Sequence, residues 1–186
     1  MIVFRTVRGF PLLPEREENS KMQEYSIELG APGSEEIFAR IQTESWKAAF
    51  RDILTPEVLE NATQLPKAVA MYRRLLEQHI GHGYLLRVQG SPHCIAWWDK
   101  SRDGADFGAE LICIHSLPDR WGKGYGTKMM DAVLADMKKA GFSKATLWVF
   151  AENHRARRFY EANGFVPNGM TKTGLGAAEA CFERTL

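Results

Sequence analysis

The sequence predicts a single α+β domain built on a mixed sheet, and three observations carry that expectation. Its 186 residues suit one domain and leave no room for two large ones. Three β-rich runs, Tyr84–Val88, Cys94–Trp98 and Glu110–His115, follow one another across polar breaks, as in an antiparallel meander. The later part alternates differently: a glycine-rich loop, a helix, a strand, a helix and two closing strands.

Each element has a local cause. Tyr25-Ser26-Ile27-Glu28-Leu29 alternates as a first strand. After the turn Gly30-Ala31-Pro32-Gly33, Ser34 supplies a hydroxyl cap, and Glu35 and Glu36 face the positive end of a helix. That helix carries Ile37, Ile41, Ser45, Ala48 and Ala49 on one stripe, with Phe38, Trp46 and Phe50 on a neighbouring one. Pro56 restarts a short helix through Leu59, and Pro66 begins another whose apolar face includes Val69, Met71, Tyr72, Leu75, Leu76 and His79. Thr127–Ala140 is amphipathic, with Met130, Val133, Leu134 and Met137 on its apolar side and Gly141 to end it. Ala145–Phe150 reads as a strand and His154–Asn163 as a helix stopped by Gly164. Phe165-Val166 and Ala178–Arg184 close the chain as strands joined by a Gly-rich stretch. Residues 1–21, interrupted by Arg5, Arg8, Pro11 and Pro14, are expected to be a loosely held N-terminal extension and not a signal peptide; residues 22–186 form the domain.

Composition excludes several function classes. Apolar residues make up 45% and charged residues 25%, and 24 basic against 23 acidic side chains leave a formal charge of +1. Such a balance lacks the basic excess of a nucleic-acid binder. No apolar run exceeds five residues, far short of the roughly 18–20 that cross a bilayer. Cys94, Cys113 and Cys181 are odd in number and widely spaced, which fits free thiols in a reducing cytoplasm rather than a disulfide framework or a zinc knuckle. His79 and His82 flank a glycine-marked helix end, read as a cap; no metal is expected.

The informative segment is the strand from Glu110 and the loop Trp121-Gly122-Lys123-Gly124-Tyr125-Gly126-Thr127 that opens a helix. Glycines let backbone amides crowd round an anion, and the helix adds its unpaired N–H groups and positive dipole end. Arg120, Lys123 and Lys128 bring further positive charge. A pyrophosphate fits such a loop. The Walker spacing fails because Gly124 stands where a hydroxyl is needed, and the dinucleotide fingerprint fails because its third glycine would fall at Thr127.

These residues resemble motif A of the GNAT acyltransferases, with Trp121 where that motif opens with Gln or Arg. Asn153, Ala156, Phe159, Tyr160, Glu161, Gly164 and Phe165 are similar to motif B of the same family, and the region around Glu44–Leu54 resembles small bacterial members more weakly. The resemblance implies a GNAT-like fold, with a mostly antiparallel, splayed sheet flanked by helices, and acetyl-CoA as cosubstrate without a metal. It implies that Ile114, His115 and Ser116 offer backbone groups to the acetyl and pantetheine portion, and that residues 121–127 cradle the pyrophosphate. Asn153 would contact the pantetheine arm, a role compatible with capping the helix that starts at His154. Tyr160 would be the proton donor to the leaving thiolate, since an ordinary phenol stays protonated at neutral pH. Glu110 matches a family base position; His115 and water remain alternatives, and Trp148 occupies a second such position without being able to serve. Trp46 and Phe50 fall on a helix that borders the acceptor pocket in the family, although core packing accounts for them equally well.

The function implied is transfer of acetyl from acetyl-CoA to a primary amine of a small molecule or peptide by direct attack in a ternary complex. The alternative is a non-catalytic acyl-CoA-binding sensor or partner module. The acceptor's identity and the acyl chain length are open, and a homodimer is compatible with the resemblance.

Overall fold

The computed structural model describes residues 25–104 and 107–186. The expected extension at 1–21 lies outside the described residues. The elements run β1 (Tyr25–Leu29), α1 (Glu35–Ala49), α2 (Pro56–Ala62), α3 (Leu65–Glu77), β2 (His82–Val88), β3 (Ser91–Lys100), β4 (Ala109–Ser116), α4 (Tyr125–Lys139), β5 (Lys144–Phe150), α5 (His154–Ala162), β6 (Val166–Gly174) and β7 (Ala177–Thr185). They build one seven-stranded sheet in the order β1-β2-β3-β4-β5-β7-β6.

Every neighbouring pair is antiparallel except β4 and β5. Those two strands pair only as Ala109 with Ala145 and Glu110 with Thr146. Beyond that point β4 follows β3 as far as Ser116 and β5 follows β7 as far as Phe150, so the sheet splays between them.

Each face of the sheet carries its own core. On β3, Cys94, Ala96 and Trp98 join the cluster under α4, whereas Ile95 and Trp97 join the cluster under α1 and α3. A period of two sorts them, and a strand buried on both faces reads as a continuous apolar run. The two tryptophans therefore point to opposite faces, as the alternation predicts, and both are core. Trp98 donates its indole N–H to Asp136 Oδ2 at 3.1 Å and ties α4 to the sheet. Trp97 donates to the Ile80 carbonyl at 3.2 Å. Gln89 and Gly90, both at positive φ, make the tight two-residue link between β2 and β3.

Three expectations are corrected. Ser34 precedes α1 but its hydroxyl does not cap it: Oγ accepts from Ala31 N at 3.1 Å and donates back to the Ala31 carbonyl, closing the turn instead. The helix expected from Thr127 starts at Tyr125, directly on the glycine loop. The stretch after Val166 is no loose connection but strand β6, paired with β7. Almost all of it is exposed, so it shows none of the apolar alternation that marks a half-buried strand. His79, at positive φ, ends α3, and His82 stacks on Trp98 with centroids 4.0 Å apart. Among the described residues no helix is long and apolar enough to cross a membrane.

Gly83 shows how tightly the α1–α3 face is packed. A Cβ there would lie 2.4 Å from the Trp97 ring, which is 3% exposed and held by its hydrogen bond. Gly83→Ala is expected to cost about 1–3 kcal/mol, read as a lower urea midpoint with the slope unchanged.

Candidate active site

Where β4 and β5 part, a cavity of about 1180 Å³ runs along the cleft. One end is the loop after β4. A single 3-10 turn at Pro118–Arg120 leads into Gly122 and Gly124, both with φ near +80°, and Gly124 is the N-cap of α4. Such backbone favours glycine. A Cβ at either position would meet nothing within 4 Å, so the arch faces open space. The first amides of α4 have no intrahelical partner by helix geometry, and the first turn carries no acidic side chain. Such backbone is able to hold an anion. Gly122 to Thr127 all line the cavity, with Arg120 beside them.

Trp121 does two things at this end. Its indole N–H donates to the Ser116 carbonyl at 2.8 Å, fixing the ring. The Arg155 guanidinium, from α5, stacks on that ring 3.2 Å from its centroid. Arg155 makes no ion pair among the described residues and lines the cavity. Asn153 caps α5, its Oδ1 accepting from Ala156 N at 3.1 Å, and it also lines the cavity. Both readings of Asn153 thus remain compatible.

The middle of the cleft is walled by Ile114, His115 and Ser116 of β4 and by Val149, Phe150 and Tyr160 across from them. Tyr160 is 8% exposed. Burial pushes its hydroxyl well above the ordinary range, and neighbouring Cys113 adds to that. Cys113 also lines the cavity, and burial pushes its thiol up to about 12 against the opposing effect of a hydrogen bond with Tyr72. A thiol held protonated in this way is a poor nucleophile. Burial lowers His115 to about 4, and its Nε2 accepts the Trp46 indole N–H at 3.2 Å. That bond occupies the nitrogen a base would use and sets the proton on Nδ1.

Trp46 and Phe50 both reach the cavity. Their rings meet edge to face at 5.2 Å, and Phe50 meets Phe150 at 5.0 Å and 90°. Glu110 is placed differently from the rest. It is 1% exposed and lies outside the cavity lining. Arg102 captures its carboxylate: Nε donates to Oε2 at 3.0 Å, the Arg102 backbone N–H donates to the same oxygen at 3.1 Å, and Nη2 donates to Oε1. The geometry argues against the base role expected of Glu110, because its carboxylate lies outside the cavity lining and is held by the Arg102 guanidinium, which stabilises the charged form and makes it a weaker base. Trp148 donates its indole N–H to Asp103 Oδ2 at 2.7 Å.

Sequence reasoning missed several lining groups. Asp99, next to last in β3, lines the cavity with Trp97, and the period-two pattern from Trp97 was the signal that could have found it. Gln42 and Glu179 come from α1 and β7, and Gln42 Oε1 is buried with no hydrogen-bond partner among the described residues. No group of three or more His, Cys, Asp or Glu side chains among the described residues could hold a metal ion.

The state of His115 has a consequence for stability. Its pKa falls from 6.5 to about 4 on folding. Between those values the unfolded chain binds a proton that the folded chain refuses. Stability is therefore full above pH 6.5 and falls by up to about 3 kcal/mol as the pH drops towards 4. His93, lowered by burial as well, contributes in the same direction. Urea midpoints should fall from pH 7 to pH 4, and His115→Gln should flatten that fall; equal slopes would contradict the assignment.

Comparison with known proteins bears on this geometry. The model of the acetyltransferase (GNAT) family matches residues 36–165. An uncharacterized N-acetyltransferase of Mycobacterium bovis is 38% identical over 74 residues, 40% of this chain and 47% of the relative. A mycothiol acetyltransferase of Beutenbergia cavernae is 34% identical over 70 residues, 38% of this chain and 23% of the relative. The chain thus spans about half the length of the first of these curated relatives it matches. Among solved structures, the PaiA N-acetyltransferase of Thermoplasma acidophilum in complex with coenzyme A superposes with a TM-score of 0.72 at 17% identity, covering 87% of this chain and 99% of that one. YncA, a putative acetyltransferase of Salmonella typhimurium with its cofactor acetyl-CoA, gives 0.66 at 15% identity, covering 87% and 94%. With most of its length matched by the family model, and with the splayed sheet and glycine loop in place, the chain belongs to the acetyltransferase (GNAT) family.

Proposed function

We propose that the protein is an acetyl-CoA-dependent N-acetyltransferase that moves acetyl to a primary amine by direct attack in a ternary complex. The observation that carries this is the glycine arch on the N-terminus of α4, opening into a cleft whose wall holds a buried, protonated tyrosine. Family membership and the coenzyme-bound neighbours support it. The three free cysteines fit a reducing compartment, taken here as the cytoplasm.

The residues present fit the cosubstrate. Gly122, Gly124 and the first amides of α4 would hold the pyrophosphate, with Lys123 and Arg155 adding charge. Ile114, His115 and Ser116 would offer main-chain groups to the amides of the pantetheine arm, because past Glu110 the β5-facing edge of β4 has no ladder partner. Acetyl-CoA, when bound, supplies an acetyl group activated as a thioester.

Tyr160 then acts on charge that develops at sulfur. Burial keeps the Tyr160 phenol protonated and would raise a thiolate leaving in the same cleft as it raises Cys113, so Tyr160 is a donor when the C–S bond breaks. Its role is to donate a hydrogen bond as negative charge grows, the kind of stabilisation worth most in a water-poor site. The amine's proton leaves through water, since Arg102 holds Glu110 and Trp46 occupies His115 Nε2. Cys113, kept protonated, takes no acetyl group.

Two measurements test the reading. Calorimetry with acetyl-CoA should give micromolar binding that Gly124→Glu abolishes and Arg155→Gln weakens about fivefold to tenfold. Tyr160→Phe should keep that binding and lower kcat about a hundredfold. Binding without turnover on any amine, and no effect of Tyr160→Phe on slow acetyl-CoA hydrolysis, would favour the non-catalytic acyl-CoA-binding module.

A further inference from the structure

The end of the cavity away from the glycine loop has a character that acetyl transfer by itself does not require. Among the described residues seven large apolar side chains are exposed, and four of them, Met71, Ile80, Ile112 and Leu175, line this one cavity. They come from α3, the link to β2, strand β4 and the β6–β7 turn, so no local run of sequence explains their meeting. Single exposed apolar side chains are ordinary, but several gathered in one concavity mark a surface that a ligand covers. The Trp46–Phe50–Phe150 edge-to-face series lines the same space.

Charge at this end is sparse and balanced. The lining has two carboxylates, Asp99 and Glu179, and two guanidiniums, Arg74 and Arg102. Glu179 faces Lys172 at 3.9 Å, and Arg102 is committed to Glu110. Asp99 uses Oδ1 to accept from Lys100 N at 2.7 Å and has no partner on Oδ2 among the described residues. Arg74 has no ion-pair or side-chain hydrogen-bond partner among the described residues. One ammonium is matched here by Asp99, whereas a second cation on the same molecule would meet an uncompensated guanidinium.

We infer that the acceptor is a small monoamine on an apolar body of aromatic size, an arylalkylamine in chemical class, whose ammonium Asp99 draws into the cavity before the free amine reacts. This rests on the acetyltransferase reading. In the reaction the ammonium loses one proton to solvent, and the free amine nitrogen bonds the acetyl carbon. The C–S bond breaks, the thiolate takes up the amine's second proton, and an N-substituted acetamide and a free thiol result. A polyamine or an aminoglycoside places further cations against Arg74. A peptide brings main-chain polar groups that this apolar wall does not satisfy.

The test uses the purified protein with acetyl-CoA and follows thiol release and product mass for 2-phenylethylamine, spermidine, an aminoglycoside and a tetrapeptide with a free N-terminus. The expected kcat/KM for 2-phenylethylamine is at least tenfold above each of the others. Met71→Glu, at an exposed helix position, should lower it about tenfold with the acetyl-CoA Kd unchanged, and Asp99→Asn should raise KM for the amine. Preference for spermidine, the aminoglycoside or the peptide overturns the inference while leaving acetyl transfer intact, as does a Met71→Glu variant with unaltered selectivity. Failure to bind acetyl-CoA in calorimetry overturns the acetyltransferase reading and this inference with it.

Discussion

The parting of β4 from β5 is the constraint on which the rest of the molecule depends. Parallel strands normally stay paired along their length, and a buried strand edge without partners is costly. Here each strand is clamped on its far side, β4 by β3 and β5 by β7, in full antiparallel ladders. The two ladders hold while the two-pair contact between them ends at Glu110 and Thr146. What opens is a wedge whose one wall is an unpaired backbone edge. The chain leaves β4 at the top of that wedge, so the helix that follows presents its N-terminus to the opening. Cleft, anion cradle and donor edge are thus consequences of one break in the sheet.

The wedge is nearly uncharged along its middle. His115 is held neutral by burial, and Cys113 and Tyr160 are held protonated by the same cause. Low polarity there strengthens any hydrogen bond to developing charge and penalises an isolated ion. A covalent relay through Cys113 would need a thiolate that this wall does not tolerate. Direct transfer needs no protein anion in the middle of the cleft. Fixed charge sits at the ends: the glycine arch with its cations at one, and Asp99 and Glu179 with Arg74 and Arg102 at the other. The capture of Glu110 by Arg102 belongs to the same economy, since a carboxylate buried to this depth is tolerated only with a full set of donors.

Much of the fold was legible in the sequence because its buried elements have clean periods. The meander from Tyr84 to Ser116, the α4 stripe and the continuous apolar run of β5 each declare themselves by spacing. Strand β6 does not, since almost none of it packs and only its ladder with β7 defines it. The site divides the same way. Residues 114–127 and Asn153 to Tyr160 meet because two contiguous segments carry them. Asp99, Gln42, Tyr72 and Glu179 arrive at the cavity from four other elements, and only tertiary packing brings them there. For Glu110 the sequence offered only its match to a family base position, because its partner, Arg102, lies in the preceding loop, where no periodicity points to it.

Trp121 shows how a departure from a motif is absorbed by a distant residue. In place of a side chain able to hydrogen-bond an anion stands an indole whose only polar atom is spent on the Ser116 carbonyl. The ring then serves as a platform: Arg155, 34 positions along the chain, lays its guanidinium on it. The stacking itself is worth only about 0.5–1 kcal/mol at an exposed site, too little to matter for folding. Its value is orientational, because a planar, delocalised cation held flat keeps its N–H fork turned outward beside the glycine arch. An arginine at position 121 would carry the same charge on a free stem and would lose more rotamer freedom on meeting a phosphate. On the proposed reading the cation sits on α5 instead of the loop and is pre-ordered there, so the loop's backbone and Arg155 would act on a bound diphosphate as one unit.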